Sequence, residues 1–329
     1  MTPTPSFFQP LLDIWNAGTI QAIKTPTIGG TIDSTHLITT NKGRYALCAS
    51  TRNDPDRLKQ EHELILWAHQ HDIPTPPPLP TPQGDTIVTY KDQIFTLFPF
   101  VNGHQVSRDN LQPAHIAAMG SFLAQIHTIL ADYPTSNVSK RNFEIDPHAD
   151  REQALADIDR LIKKISAIPS PDHTDQHALD RLTARKKWLQ TLTDPKKSAP
   201  LTLPFQVIHG DYQETNVFFQ NNHVSSIIDW SAYAAPTTWE IARTLHLVFN
   251  FRPTPSITFL KTYQQHHPLS LEDLDIATHA YGLKRGHSLW LYEEAYDNGN
   301  VRQFITPGGF TPIATDWQSL SPTLQKHLA

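Results

Sequence analysis

The stretch Val207–Trp230, V-I-H-G-D-Y-Q-E-T-N-V-F-F-Q-N-N-H-V-S-S-I-I-D-W, constrains this chain more than any other. An apolar run ends in His209-Gly210-Asp211, and Asn216 opens a second apolar run, Val217–Phe219. Gln220–His223 has turn composition, and Val224–Ile228 reads as the returning strand, with Asp229 at its end. A strand, a loop and a hairpin therefore bring Asp211, Asn216 and Asp229 to one mouth. Two carboxylates and an amide oxygen are hard ligands, a set that suits Mg²⁺, which keeps most of its shell for water and phosphate. Taken singly, each of these residues fits an Asp-rich hairpin between buried strands just as well. Four fixed positions between two apolar strands argue for chemistry.

That chemistry fits phosphoryl transfer, in which one Asp accepts the proton of a hydroxyl while an Asn and a second Asp hold the metal. H-G-D-x-x-x-x-N followed by I-I-D-W resembles the aminoglycoside phosphotransferase/choline kinase/homoserine kinase superfamily. The resemblance implies an α+β, two-lobed, protein-kinase-like fold with a small antiparallel-sheet lobe, roughly 1–98, and a mainly helical lobe, roughly 99–329. It implies ATP and Mg²⁺ as cofactors and a small-molecule hydroxyl as acceptor. Asp211 is then the base, Asn216 and Asp229 the metal ligands, and His209 an anchor of the loop.

Bulk properties agree with a globular enzyme. The 329 residues suit two domains or lobes. Hydrophobic residues make up 39% and charged residues 18%, which argues against disorder. Lys plus Arg number 27 against 32 Asp plus Glu, a net charge of −5 that lacks the basic footprint of a nucleic-acid binder. The single cysteine, Cys48, excludes an intrachain disulfide and suits a reducing compartment. Met1–Pro10 has no signal-peptide pattern and no apolar run is long enough to span a bilayer, so a cytoplasmic protein without membrane contact is expected. The 18 histidines are scattered and show no zinc spacing.

In the first lobe, Phe7, Phe8, Leu11, Leu12 and Trp15 give Ser6–Ala17 one apolar helical face. Leu37–Thr40, the turn Asn41-Lys42-Gly43 and Arg44–Cys48 read as a hairpin. Ahead of it, Gly29 and Gly30 would let the backbone approach a phosphate, with Ser34 or Thr35 offering hydroxyls. A plain hairpin would carry the same pair. The superfamily has a Lys or Arg near the end of the returning strand, paired with a Glu on the next helix; here that position is Cys48. Arg44 and Arg52 share its parity, Arg52 being favoured, and Lys59 is another substitute; otherwise nothing replaces the cation. Asp54-Pro55 opens a helix to His71, on which Glu61, or else Glu63, matches the family glutamate. Ile73–Pro82 is proline-dense and must be extended. Asp85–Tyr90 and Gln93–Phe98 form a hairpin turning at Lys91-Asp92. Phe98–Gly103 resembles the family hinge, where the C=O of Pro99 and the N–H of Val101 would hold the adenine.

Gln112–Leu130 is a helix whose His127 reads as a core residue rather than a catalyst. Asp150–Ile168 and His173–Leu192 are amphipathic helices, the least family-like part. Trp239–Arg243 resembles the helix after the metal Asp, and a structural Glu240–Arg243 role is expected. Helices are expected over Ile257–His267, Leu271–Asp297 and Asp316–Leu328. In Leu271–Asp297, Trp290, Glu293, Glu294 and Asp297 share one face. That face would suit a cationic or polyhydroxylated acceptor, but Trp290 packed and the acids solvated is the plainer reading. Two alternatives stand beside the small-molecule kinase: a nucleotide-binding pseudokinase acting through a partner, motivated by Cys48, and a protein kinase, against which stands the lack of D-F-G and A-P-E.

Overall fold

The structure, a computed structural model, describes residues 5–24, 34–50, 54–138, 151–192, 203–305 and 307–328. The chain divides into two compact units, 1–141 with 206–234 and 258–268, and 142–205 with 235–257 and 269–329.

The first unit begins with helix α1 (Pro5–Ile14), which packs on a five-stranded antiparallel sheet ordered β1-β2-β3-β5-β4. Its strands are β1 (Ile20–Lys24), β2 (Ser34–Thr40), β3 (Arg44–Ser50), β4 (Val88–Tyr90) and β5 (Gln93–Pro99), with helix α2 (Pro55–Gln70) between β3 and β4. The core is dry: Phe8, Leu11 and Leu12 of α1 meet Ile38, Leu47, Phe95 and Leu97, and Trp15 donates its indole N–H to the Leu79 carbonyl at 2.9 Å. Local signals set the element ends. The Asp54 side chain accepts the Arg57 N–H and Pro55 occupies the first turn of α2. Lys91 and Asp92 both take positive φ, 50° and 61°, as a two-residue hairpin turn requires.

Helix α3 (Pro113–Leu130) is followed, after residues 142–205 of the second unit, by β6 (Gln206–Ile208), the hairpin β7 (Val217–Gln220) and β8 (His223–Ile227), and β9 (Tyr233–Ala235), which pairs with β6. Asn221 and Asn222 turn this hairpin with φ of 48° and 64°. His127 of α3 is fully buried and bonds the Tyr263 hydroxyl at 2.8 Å, the core role expected of it.

The second unit is helical. Helices α4 (Arg151–Ser166) and α5 (His173–Thr191) lie where the amphipathic pattern puts them. They are followed by α6 (Thr237–Leu247), α7 (Pro253–Gln264, which runs into the first unit), α8 (Leu271–His287), α9 (Trp290–Tyr296) and α10 (Ile313–Leu328). Ile158, Leu161, Ile165, Leu182 and Leu189 form one apolar cluster with Leu289 and Tyr292. The expected continuous helix Leu271–Asp297 is broken at Ser288-Leu289. There Ser288 leaves helical geometry, and its carbonyl accepts the Arg185 guanidinium at 2.6 Å. Next to the break, Gly286 lets α8 come against Trp188, whose ring lies 2.2 Å from where a Cβ would stand. The break moves the residues of the expected Trp290 face onto a separate short helix. Trp290 is 41% exposed rather than packed. Two of the acids are solvent-accessible yet paired: Asp297 holds Arg160 and Lys164, both at 2.8 Å, and Glu293 stands 3.9 Å from Arg160, while Glu294 accepts the side-chain amides of Asn298 and Asn300.

Candidate active site

The site is built from β6 outward. The completely buried His209 accepts the Asp211 backbone N–H on Nδ1 at 3.2 Å, and its ring packs on Trp230 at 4.6 Å between centroids. Its carbonyl receives the Ser231 N–H at 3.0 Å. Between them Gly210 adopts φ +84°, and a Cβ there would stand 2.2 Å from the Ser231 carbonyl oxygen. Glycine is thus required where the loop crosses the segment after Asp229. Two residues on, Tyr212 is buried and donates its hydroxyl to the Met119 carbonyl at 2.8 Å, fixing the loop to α3.

Beyond His209 the loop closes on itself. Asn216 donates its Nδ2 to the Asp211 carbonyl at 2.9 Å and to the carboxylate Oδ2 at 2.8 Å. Both amide hydrogens point at Asp211, which turns the Asn216 Oδ1 the other way, as a ligand oxygen must be turned. Gln213 Nε2 reaches the same Oδ2 at 3.0 Å. The Asn216 carbonyl accepts the Ile228 N–H at 3.0 Å, which registers Asn216 beside the end of β8. Asp229 follows there, exposed, with φ +62°. Aspartate is among the residue types that enter the left-handed region most readily, and here that conformation turns the chain sharply just past the end of β8. Ile227 donates to the Pro74 carbonyl at 2.8 Å and the Trp230 indole to the Thr75 hydroxyl at 2.9 Å, so the proline-rich segment braces both sides of Asp229.

The segment after β5 is strapped to the same loop. His104 and Phe219 exchange backbone bonds of 3.1 and 2.9 Å. The Gln105 amide donates to the Thr215 carbonyl. Arg108 Nε lies 3.3 Å from Oε1 of Glu214, whose side chain is only 6% exposed. Pro99 ends β5 opposite Tyr45, and Val101 follows two residues on. The Phe100 N–H bonds the Arg44 carbonyl at 3.1 Å. The Arg44 guanidinium lies 3.5 Å over the Phe100 ring, a cation–π contact at the expected hinge.

Among the expected phosphate-side residues, Gly29 and Gly30 lie outside the described residues, as does Arg52. Ser34 begins β2, and Thr35 stands opposite Cys48, its hydroxyl 3.6 Å from the sulfur. Lys59 is exposed on α2, whereas Glu61 is half-buried and lines a cleft with Arg57, Leu64, Val138, Ser231 and Ala232. Among the described residues no group of three or more His, Cys, Asp and Glu could hold a metal. The oxygens offered by Asn216 and Asp229 beside Asp211 are hard donors whose chemistry would fit a hard cation. Three contacts escaped the sequence: Gln213 on Asp211, Gln105 on Thr215 and Arg108 on Glu214. Only the first left a trace, as an amide two residues from an aspartate.

A family model described as "Phosphotransferase enzyme family" matches residues 25–274, which contain the whole of this loop and hairpin. The chain belongs to that phosphotransferase enzyme family. A homoserine kinase of Methylobacillus flagellatus is 24% identical over 201 residues, covering 61% of this chain and 55% of the relative. One of Rhodospirillum rubrum is 26% identical over 220 residues, 67% of this chain and 61% of the relative. The chain therefore matches less than two thirds of the length of these relatives. Among solved structures, amicoumacin kinase in complex with AMP-PNP, Ca²⁺ and its ligand superposes with a TM-score of 0.62 at 14% identity, covering 98% of this chain and 93% of that one. The fold is accordingly the α+β kinase-like fold of these phosphotransferases.

Proposed function

We propose that the protein is an ATP- and Mg²⁺-dependent kinase that phosphorylates a hydroxyl of a small molecule. The observation that carries this is the Asp211–Asn216 pair, 2.8 Å apart and registered to the Asp229 strand end through Ile228. Asp211 receives the acceptor's hydroxyl proton as the new oxygen–phosphorus bond forms and the bond from the γ-phosphorus to the β–γ bridging oxygen breaks, releasing ADP. Asn216 and Asp229 hold Mg²⁺, which when bound neutralises charge on the phosphates. Gly29, Gly30, Ser34 and Thr35 would supply the phosphate contacts, and Pro99 and Val101 would hold the adenine through C=O and N–H. Residues 1–98 then serve the nucleotide and 99–329 carry the catalytic loop. The relatives named homoserine kinase make an amino-acid alcohol the first acceptor to test. A cytoplasmic setting follows from the reaction's need for ATP; among the described residues no helix is long and apolar enough to cross a membrane.

Cys48 favours the second reading, a nucleotide-binding pseudokinase, because a short thiol beside Thr35 supplies no cation to the phosphates. A thermal-shift series with ATP and GTP, each with and without Mg²⁺, followed by an acceptor screen, separates the two. A metal-dependent rise with turnover of a metabolite supports the kinase. Metal-dependent binding with no turnover of any acceptor supports the pseudokinase, and no shift at millimolar nucleotide rejects both.

A further inference from the structure

We infer that Gln213 is the positioning residue of this site, its side-chain amide orienting the Asp211 carboxylate toward Asn216. Its consequence for turnover rests on the kinase reading, whereas its geometric content does not.

Gln213 touches both members of the pair. Its Nε2 donates to Asp211 Oδ2 at 3.0 Å, and its carbonyl accepts the Asn216 N–H at 3.0 Å. The backbone at Gln213 is extended, φ −151° and ψ 165°, and side chains two apart along extended chain share a face, which is how residue 213 reaches back to residue 211. Among the described residues the Gln213 side chain makes no other hydrogen bond, so nothing else in the fold accounts for where it points. Its partner is the same oxygen that Asn216 engages at 2.8 Å.

The second donor matters because the carboxylate torsion of an aspartate is soft and nearly two-fold. One amide bond sets the distance to an oxygen and leaves the plane of the group loose. A second donor arriving from another residue fixes the plane. Asn216 is pledged in addition to the metal, so Gln213 is the contact that serves orientation alone. Misplacement of a reacting group by about 1 Å can cost on the order of 10²-fold in rate.

The test uses the full chain with Gln213→Leu, close in volume but without a donor, and Gln213→Glu, of the same length with the donor replaced by a like charge. Two readouts are taken: steady-state kinetics, and crystal structures of the nucleotide-free proteins. The expected result is a fall in kcat of about 10- to 100-fold for Q213L and a larger one for Q213E. KM for nucleotide should stay within about twofold, with the Asp211 carboxylate rotated away from its wild-type plane in both variants and Asn216 in place. A general loosening of the loop would instead lower the melting temperature and raise both KM values. A Q213L enzyme with wild-type kcat, or either variant with Asp211 unmoved in the crystal, overturns the inference. Should the wild-type protein phosphorylate no acceptor, the kinase reading fails by itself, and the position of Asp211 in the variant crystals still decides the role of Gln213.

Discussion

Replacing Gly210 by alanine is the sharpest test of how the His209–Asn216 loop is held. Gly210 has φ +84°, and its added Cβ would lie 2.2 Å from the Ser231 carbonyl oxygen and 2.8 Å from both the Ser231 carbonyl carbon and Tyr233 Cε1. The first contact is with backbone, so no rotamer change relieves it. Left-handed backbone costs a residue with a Cβ roughly 1–2 kcal/mol. Forcing a methyl into packed surroundings costs roughly 1–3 kcal/mol more. Separating the crossing strands also weakens the 3.0 Å bond from Ser231 to the His209 carbonyl, worth about 1 kcal/mol. Together these give about 3–6 kcal/mol, or a melting point lower by roughly 6–24 °C for a unit of this size. Gly84→Ala is the matched control, because Gly84 has φ +95° but its added Cβ meets no described atom within 4 Å. It should cost only the backbone term, about 1–2 kcal/mol. Calorimetry and urea unfolding of both variants measure the difference. Equal destabilisation by the two substitutions would refute the argument, since the crossing at Ser231 would then contribute nothing.

Four further outcomes are expected. Asp211→Asn should lower turnover by at least about 10³-fold while leaving the Mg²⁺-nucleotide thermal shift nearly intact, as measured by paired kinetics and melting curves. Asn216→Ala and Asp229→Ala should instead abolish the metal-dependent part of that shift, and a variant keeping it in full would remove its residue from the metal site. His62 is buried against Thr86 and Thr96, and burial lowers its pKa to about 4. The unfolded chain therefore takes up the proton first, so this contribution to stability is complete above about pH 6.5 and lost as pH falls toward 4; it amounts to about 3 kcal/mol. Urea titrations at pH 7.5 and 4.5 should show that loss in wild type and a smaller one in His62→Gln. Asp172 is held well below the usual carboxylate range by the Arg302 guanidinium, which bonds both its oxygens at 2.7 and 2.8 Å, and by the Asp175 backbone N–H. A depressed carboxylate stabilises above its unfolded pKa, so the stability gap between wild type and Arg302→Met should be constant near neutrality and shrink as pH falls below 3.8. A gap that is flat down to pH ~2 would refute that origin.

What the linear chain discloses here is whatever is written within a few residues. Asp54-Pro55 before an apolar stripe, Lys91-Asp92 and Asn221-Asn222 between alternating runs, and H-G-D-x-x-x-x-N before I-I-D all state local geometry. Backbone conformation at a cap or turn depends on neighbours in sequence, so these elements could be read directly; the fold itself was implied by the family resemblance of H-G-D-x-x-x-x-N and I-I-D-W. The break of the long C-terminal helix could not, because helical periodicity continues through Ser288. It is ended by Arg185, 103 residues away, and by the close approach of Trp188 to Gly286. The same holds for Asp297 at the end of α9, which is paired by Arg160 and Lys164 across more than 130 residues. At the site, sequence spacing put Asp211 and Asn216 on one short loop and Asp229 after the returning strand of the hairpin, and the structure joins Asn216 to Asp211 directly and to Ile228 through its carbonyl. Only the tertiary structure decided how they are held: the left-handed Asp229, the crossing that admits no Cβ at Gly210, and the Gln213 amide on the carboxylate. Those depend on directions of approach between segments, and a side chain's direction is set by packing rather than by its place in the chain.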